Sequence, residues 1–262
     1  MRKNILSLCV LLLILVQISD ILDKRSQVSC LNINTCETSK FREQHLSEKL
    51  YKKLSESDDF ADDLTVTMLH GKFFPDEIWT DSVPYKKYKP VEYFRLRKTY
   101  QSIWADLKYF PVPDDEIFFE NTYGAPRTYG GQRVHEGCDL FGKKKQPGYY
   151  PILSMTDGTV EKIGWLPLGG YRIGIRASHG GYFYYAHLSG YEKYFKEGEL
   201  VEAGDILGYM GNTGYGEEGT TAMFPVHLHM GIYIETPNHK ELSVNPYWVL
   251  KAVSKKIRNY SY

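Results

Sequence analysis

The feature that most constrains the fold is a succession of short apolar runs in the second half of the chain. From about residue 114 onward these runs are rich in Tyr, Ile and Val, and glycine interrupts them repeatedly. Such runs fit β-strands, because a helix needs a longer uninterrupted stretch. We therefore predict a mainly β domain with an antiparallel sheet of sandwich or barrel type. The predicted strands are residues 117–121, 134–141, 152–154, 158–163, 172–178, 182–187, 206–210 and 226–234.

The first part of the chain carries helical patterns instead. Residues 39–54 have a partial apolar stripe, and a second helix is predicted from Pro90, because proline is favoured in the first turn of a helix. Apolar side chains recur in this second helix with the spacing of one buried face. They are Tyr100, Ile103, Trp104 and Leu107. A small helical region is thus expected to precede the β domain and to dock against it, since an exposed aromatic stripe needs a partner. It would serve as a scaffold or, as the alternative, occlude the groove.

Two further short helices are predicted within and after the β domain. Residues 191–195 have the composition of a short helical turn, and residues 245–255 follow Pro246 with a helical pattern. The second of these would close the chain as a C-terminal helix.

The N-terminus has the layout of an export signal. Its basic start, M-R-K-N, is followed by the apolar run I-L-S-L-C-V-L-L-L-I-L-V-Q-I. A basic start with an apolar segment of this length is typical of a signal peptide, and the run is somewhat short for a membrane helix. We predict that residues 1–25 are cleaved on export or retained as a membrane anchor. The rest of the chain would then work outside the cytoplasm, in the cell envelope or secreted.

Charge and cysteine content narrow the partners and the compartment. The 32 Lys and Arg residues balance 32 Asp and Glu residues, so the chain has no bulk attraction for nucleic acid and we exclude that partner. In an exported protein Cys30 and Cys36 could form a disulfide, although connectivity cannot be read from sequence. Cys138 is interpreted as a small buried apolar residue.

A histidine and a carboxylate lie four residues apart in the run R-V-H-E-G-C-D-L-F. Glycines at 130, 131, 137 and 142 surround this run and disfavour a helix, so we predict a strand over residues 134–141. Residues at even spacing share one face of a strand. His135 and Asp139 are therefore expected to lie side by side, while Glu136 and Cys138 point to the other face.

Two other runs supply three more histidines. His187 follows Y-Y-A, and His227 and His229 occur as H-L-H in an apolar stretch. A lone histidine is more often a packing or surface residue than a ligand. Together with His135 and Asp139, however, they make five groups that suit zinc, enough for three ligands with an open position and two proton-handling residues. The residues alone do not decide which histidine takes which role.

These motifs resemble those of the M23 metallopeptidases, the lysostaphin and LytM-like peptidoglycan endopeptidases. H-E-G-C-D at 135–139 matches the HxGxD motif of that family, and H-L-H at 227–229 matches its HxH motif. Three further runs match family segments that lie between these two motifs. They are T-D-G-T-V from residue 156, H-G-G-Y-F-Y-Y-A-H-L-S from residue 179 and G-E-L-V-E-A-G-D-I-L-G-Y-M-G-N-T-G from residue 198. The resemblance covers about residues 112–250. Two loops depart from the family pattern by their length, at 142–150 and 216–224.

The resemblance implies roles for individual residues. His135, Asp139 and His229 would bind Zn2+, and His187 and His227 would be the catalytic histidines. The reaction would be zinc-assisted hydrolysis of a peptide bond in peptidoglycan stem peptides or crossbridges. In such chemistry zinc polarises the scissile carbonyl and lowers the pKa of its water, and a neutral imidazole can take a proton.

The resemblance, together with the helical patterns of the first part of the chain, gives a domain organisation, and alternatives to the peptidase interpretation stay open. Residues 26–110 would be a helical extension, 111–250 an M23-like zinc metallopeptidase domain of LytM type, and 251–262 a C-terminal tail. The alternatives are a catalytically silent wall-binding or adaptor module of the same fold, and a structural exoprotein whose histidines pack or scavenge metal. A zincin helix is disfavoured, because H-E-x-x-H needs a histidine where Asp139 stands.

Overall fold

The centre of the protein is a ten-stranded antiparallel sheet, seen in a computed structural model that describes residues 2–129 and 131–259. Met1, Gly130 of the glycine-rich flank and residues 260–262 of the predicted tail lie outside the described residues. The strands are β1 (Phe118–Phe119), β2 (Pro126–Arg127), β3 (Arg133–Val134), β4 (Cys138–Phe141), β5 (Pro151–Leu153), β6 (Gly158–Leu166), β7 (Gly170–Ala177), β8 (Tyr182–Tyr191), β9 (Leu200–Val201), β10 (Ile206–Met210), β11 (Leu228–Ile234) and β12 (Leu242–Val244).

The order of the strands confirms the predicted fold class. The main path of the sheet is β1-β4-β11-β8-β7-β6-β9, with β10 joining β5 to β8 and β12 at the side of β11. Every pairing is antiparallel, and β2 and β3 form a separate two-stranded ribbon. Long hairpins such as β6–β7 and β7–β8 follow from the glycine turns seen in the sequence.

Alternation along the central strands gives the sheet two unlike faces. One face is buried and apolar, because removing apolar side chains from water stabilises the folded chain. Its members in β7, β8 and β11 include Ile173, Ile175, Phe183, Tyr185, Met230 and Ile232, all 0% exposed. The residues between them point to the opposite face, which is open and polar. That face includes Arg172, Tyr182, Tyr184, His229 and Tyr233.

Seven helices accompany the sheet in the described part of the chain. They are α1 (Arg2–Val28), α2 (Ser39–Arg42), α3 (Glu48–Leu54), α4 (Phe60–His70), α5 (Val83–Tyr88), α6 (Pro90–Trp104) and α7 (Tyr247–Val253), with a 3-10 turn at Thr35–Glu37. The helix predicted from Pro90 is confirmed, and Tyr100, Ile103 and Trp104 are buried in it. It ends at Trp104, so Leu107, expected on the same face, is buried but lies beyond the helix. The C-terminal helix predicted after Pro246 is confirmed as α7.

Two helical predictions were wrong. The single helix expected at 39–54 is split into α2 and α3, because Gln44 takes a left-handed backbone with φ 51°. Its buried side chain compensates by donating to Phe41 O at 2.6 Å and accepting from Trp104 Nε1 at 2.7 Å. The helical turn expected at 191–195 is absent, since β8 runs on to Tyr191 and a bend follows it.

The helical region docks on the sheet through polar as well as apolar contacts, as predicted. Arg42 Nε donates to Ser243 O at 2.9 Å, and Asn245 N donates to Arg42 O at 2.7 Å. At the β7–β8 turn, a methyl group built on Gly181 would lie 2.0 Å from Ser102 O, so α6 approaches the backbone there. Apolar residues from helices and strands join in one continuous core.

Two further findings concern the N-terminal part. Cys36 is buried and its thiol donates to Thr99 Oγ1 at 3.4 Å, and the disulfide considered between Cys30 and Cys36 is not formed. Within the residues that the structure describes, no helix combines the length and the apolar character needed to cross a membrane.

Candidate metal centre and groove

Three of the five predicted residues converge on one point at the open face of the sheet. Asp139 in β4 and His229 in β11 are directly paired across the two strands, and His229 Nδ1 lies 3.0 Å from Asp139 Oδ1. His135 Nε2 lies 3.0 Å from the same oxygen and 2.9 Å from His229 Nδ1. One ligand atom from each residue falls within 4.8 Å of the other two. The site therefore presents two imidazole nitrogens and one carboxylate oxygen to a common point.

The strand predicted over 134–141 is broken, and the break places His135. β3 ends at Val134 and β4 begins at Cys138. A methyl group built on Gly137 would meet His229 Cε1 at 2.5 Å, so only glycine lets the chain pass beneath that ring. The break also reverses one expectation, because Glu136 lines the groove beside the site instead of facing away.

Cys138 lies on the buried face, as predicted. It is 0% exposed, and its thiol donates to Glu120 O at 3.3 Å. Burial raises the pKa of this thiol well above its ordinary value, so it is not a candidate ligand or nucleophile.

Neighbouring groups fix the orientation of two converging side chains. His135 Nδ1 lies 3.1 Å from Thr122 O, and because a carbonyl only accepts, Nδ1 carries the proton and Nε2 is left with a lone pair. Arg127 Nη2 donates to Asp139 Oδ2 at 2.9 Å, which leaves Oδ1 facing the two histidines. Such outer contacts are the usual support of histidine and carboxylate metal ligands. The donor set fits a catalytic zinc with an open position.

His187 and His227 stand next to this point with their Nε2 atoms available. His187 Nδ1 donates to Thr213 O at 2.8 Å, and His227 Nδ1 donates to Pro225 O at 2.8 Å. The two rings are 4.8 Å apart between centroids. His187 lies where the register of β8 shifts and has a left-handed backbone, φ 62°. All five predicted residues are thus brought together.

Burial and neighbouring groups shift the pKa values of several side chains at this site. It lowers the pKa of His187 well below the ordinary value, and it also lowers the pKa of His227, against a smaller opposing effect of Asp139. Burial would raise the pKa of Asp139, but its close polar contacts with His135 and His229 outweigh that effect and hold the pKa far below its usual range. Neutral imidazoles beside an ionised carboxylate are the state that can bind a metal and accept protons.

The site opens into a groove of about 970 Å³ on the open face of the sheet. Every described residue that lines it comes from Arg127 or later, so the N-terminal helices leave it uncovered. Aromatic lining residues are Phe141, Tyr182, Tyr184, Tyr215, Phe224 and Tyr233. Charged lining residues beyond the cluster are Arg127, Arg133, Glu136, Lys162, Arg172 and Glu241.

Sequence reasoning missed Thr122, Arg127 and Arg172. None of the three belongs to a local motif. Thr122 and Arg127 contact His135 and Asp139, residues that lie about a dozen positions along the chain. The residues next to Arg172 in the sequence give no sign that it lines the groove. The one available signal for Arg172 was alternation, because its neighbours in the predicted strand are apolar and an adjacent residue points to the opposite face.

Comparison with known proteins agrees with this geometry. Residues 133–246 match the model of peptidase family M23, a range that contains all five clustered residues. The chain is 40% identical over 164 residues to the L-Ala–D-Glu endopeptidase of Bacillus subtilis (strain 168), over 62% of this chain and 48% of that protein. It is 34% identical over 84 residues to lysostaphin of Staphylococcus staphylolyticus, over 31% of this chain and 16% of that protein. The chain thus spans about half the length, or less, of these two relatives.

One solved structure matches nearly the whole chain. It comes from Ruminococcus gnavus ATCC 29149 and carries a provisional assignment as the glycyl-glycine endopeptidase lytM. It is 40% identical, with a TM-score of 0.77, and the alignment covers 88% of this chain and 96% of that one. The family match and this structural match together define the class of protein, a peptidase. The chain belongs to peptidase family M23.

Proposed function

We propose that the protein is a zinc-dependent endopeptidase that hydrolyses peptide bonds in peptidoglycan stem peptides or crossbridges. The observation that carries this proposal is the convergence of His135, Asp139 and His229 at the floor of an open groove, with His187 and His227 beside them. Such a groove, with few convergent polar groups and buried titratable residues, is the usual form of an active site.

His135, Asp139 and His229 are proposed to hold the metal. Zinc at this position would supply a Lewis acid that polarises the scissile carbonyl and activates water. The chain's own residues do the rest of the work. The hydrogen bond from Arg127 orients the Asp139 carboxylate, and the contact with Thr122 O keeps the lone pair of His135 on Nε2.

His187 and His227 are proposed as the catalytic histidines. Each has its Nδ1 proton committed to a backbone carbonyl, so each presents an Nε2 lone pair that can accept a proton or, once protonated, donate one to an oxyanion. Their low pKa values keep both lone pairs available at neutral pH.

The groove suits an extended peptide. Tyr182 lies across Gly174, where a methyl group would come within 1.9 Å of the tyrosine oxygen, so this ring lies flat on the sheet. Tyr184 and Tyr233 continue the aromatic floor and offer hydroxyl groups to backbone amides. The names of the Bacillus and Ruminococcus relatives, both endopeptidases, support a peptide substrate.

We place this activity outside the cytoplasm, in the cell envelope or secreted, because peptidoglycan is there. The apolar segment within residues 1–25 is proposed as the export signal, with residues 26–110 as a helical extension that supports the β domain at 111–250.

The test uses the purified full chain on defined muropeptides, with products weighed by mass spectrometry. The protein should hold about one zinc per chain, cleave a stem or crossbridge peptide, and stop when a chelator removes the metal. His135→Ala should lose zinc and cleavage together, whereas His239→Ala, which changes an exposed histidine away from the groove, should keep both. Wall binding without any cleaved product from the zinc-loaded protein would contradict the proposal.

A further inference from the structure

One guanidinium nitrogen at the groove, among the described residues, is buried without a hydrogen bond. Arg172 in β7 lines the groove, and its Nη1 atom is fully buried and makes no hydrogen bond in the part of the chain that the structure describes. A buried N–H group without an acceptor is costly, and the cost is larger for a charged group. Such a group persists when it serves an occupant of the site that supplies the missing acceptor.

The other arginines on this face of the sheet form hydrogen bonds within the protein. Arg127 donates to Asp139, and Arg133 donates to Tyr129 O and Tyr215 Oη. Arg176, four residues along the same strand, holds Glu161 through two hydrogen bonds. Among residues 2–129 and 131–259, by contrast, no carboxylate lies within ion-pair distance of Arg172.

The sheet places Arg172 in line with the metal centre. Arg172 falls at the register shift opposite Ala186 and His187 in β8, and Ala186 in turn is paired with His229 in β11. Two strand spacings amount to about 10 Å between backbones. An arginine side chain spans much of that distance, so its guanidinium can reach a group one residue away from the bond being cut.

We propose that Arg172 binds a free carboxylate on the substrate residue next to the scissile bond. The guanidinium fork suits a carboxylate because two parallel N–H groups can meet its two oxygens. This proposal rests on the proposed peptidase function and names its substrate class: a peptide with an acidic residue beside the cleaved bond.

A glutamyl residue in the substrate would supply the free carboxylate that Arg172 is proposed to bind. A glutamyl residue has two carboxyl groups, and a linear peptide uses only one of them, so the other stays free unless it is amidated. A glycyl-glycine bond offers no such group. Arg172 therefore favours a glutamyl bond, the kind in the name of the Bacillus relative, over the glycyl bond in the assignment of the Ruminococcus structure.

The test compares two synthetic stem peptides that differ only in whether this carboxyl group is free or amidated. The zinc-loaded full chain should cleave the free-carboxylate peptide with a kcat/KM about 10- to 100-fold higher, the range of a hydrogen-bonded charge pair. Arg172→Gln should remove most of this preference, and Arg172→Lys should retain part of it, because the charge remains without the fork. Arg176→Gln is the matched control, on the same strand and already paired with Glu161, and should keep the preference.

The outcomes separate this proposal from the one it rests on. Wild-type protein that cleaves both peptides equally, or prefers a glycyl-glycine peptide, overturns the role of Arg172 and leaves the peptidase in place. Wild-type protein that binds zinc and cleaves none of the peptides overturns the proposed function itself. An unchanged preference in a folded Arg172→Gln variant also overturns the assignment. If Arg172→Gln fails to fold, the role of Arg172 is still tested by the preference of the wild-type protein and of Arg172→Lys for the free over the amidated peptide.

Discussion

The two faces of the central sheet are built on the same strands and hold their side chains in different ways. On the buried face, Phe183 and Ile232 are held by packing on all sides. On the open face, His187 and His229 are held by directed contacts to a backbone carbonyl and to a carboxylate. Because adjacent residues of a strand belong to opposite faces, the candidate metal site is held rigid by a core that contributes none of its proposed ligands.

Because the two faces hold their side chains differently, we expect the open face to determine activity and the buried face to determine the free energy of unfolding. Substitutions on the open face should change metal binding or catalysis with little loss of stability, and substitutions on the buried face should do the reverse. The predictions below test that separation in order of decreasing effect on activity.

The largest effect is expected at His229. Replacing it by alanine, His229→Ala, removes one of three converging ligand atoms, so zinc and activity should both fall to the level of the chelated protein. Metal analysis after dialysis and a muropeptide assay would measure this, with a thermal melt of the metal-free proteins as the stability readout. A variant that keeps one zinc per chain would show that this residue is not a ligand.

His187→Ala should have the next largest effect. A positioned proton acceptor or donor contributes about 10²–10⁴-fold, so kcat should fall by that factor while zinc stays bound. Steady-state kinetics and metal content, measured on the same preparation, distinguish the two roles. Loss of zinc as complete as in His229→Ala would mean that this histidine is a ligand.

A smaller effect is expected at Arg127. Arg127→Gln removes the hydrogen bond to Asp139 Oδ2, and loss of such a contact costs about 10- to 100-fold in metal affinity or activity. Competition with a graded chelator would measure the affinity. Arg133→Gln is the control, since Arg133 contacts tyrosines rather than a ligand, and equal loss in both variants would argue for a general charge effect.

The smallest effect on activity is expected on the buried face. Ile232→Ala lies in the same strand as His229 but points into the core, and removal of a buried isoleucine costs about 2–5 kcal/mol of unfolding free energy. Denaturant unfolding should show that loss, while kcat and zinc content stay near wild type well below the melting temperature. A fall in kcat without a fall in stability would break the separation of the two faces.

Much of this arrangement could be predicted from sequence. Alternation and glycine turns predicted the antiparallel sheet. The HxxxD and HxH spacings, with the Y-Y-A-H run, identified the five residues that meet at the groove. These signals are local: each depends on residues within a few positions of one another.

What could not be predicted depends on partners distant in sequence. The chain breaks before Asp139 because Gly137 lies beneath the ring of His229, a residue from another strand. The helix at 39–54 is split at Gln44, whose left-handed backbone is accompanied by a hydrogen bond from Trp104, 60 residues along the chain. The buried Nη1 of Arg172, which makes no hydrogen bond to the described residues, is likewise visible only once the neighbouring strands are in place.

The backbone at His187 carries an implication for how the family can diverge. A left-handed φ of 62° is unfavourable for any residue with a side chain, by about 1–2 kcal/mol, and glycine is free of that penalty. His187→Gly should therefore relax the strand while removing a proposed proton carrier. A descendant released from selection for hydrolysis would drift toward glycine or asparagine here, so this position is expected to be among the first lost when an enzyme of this fold becomes a binding protein.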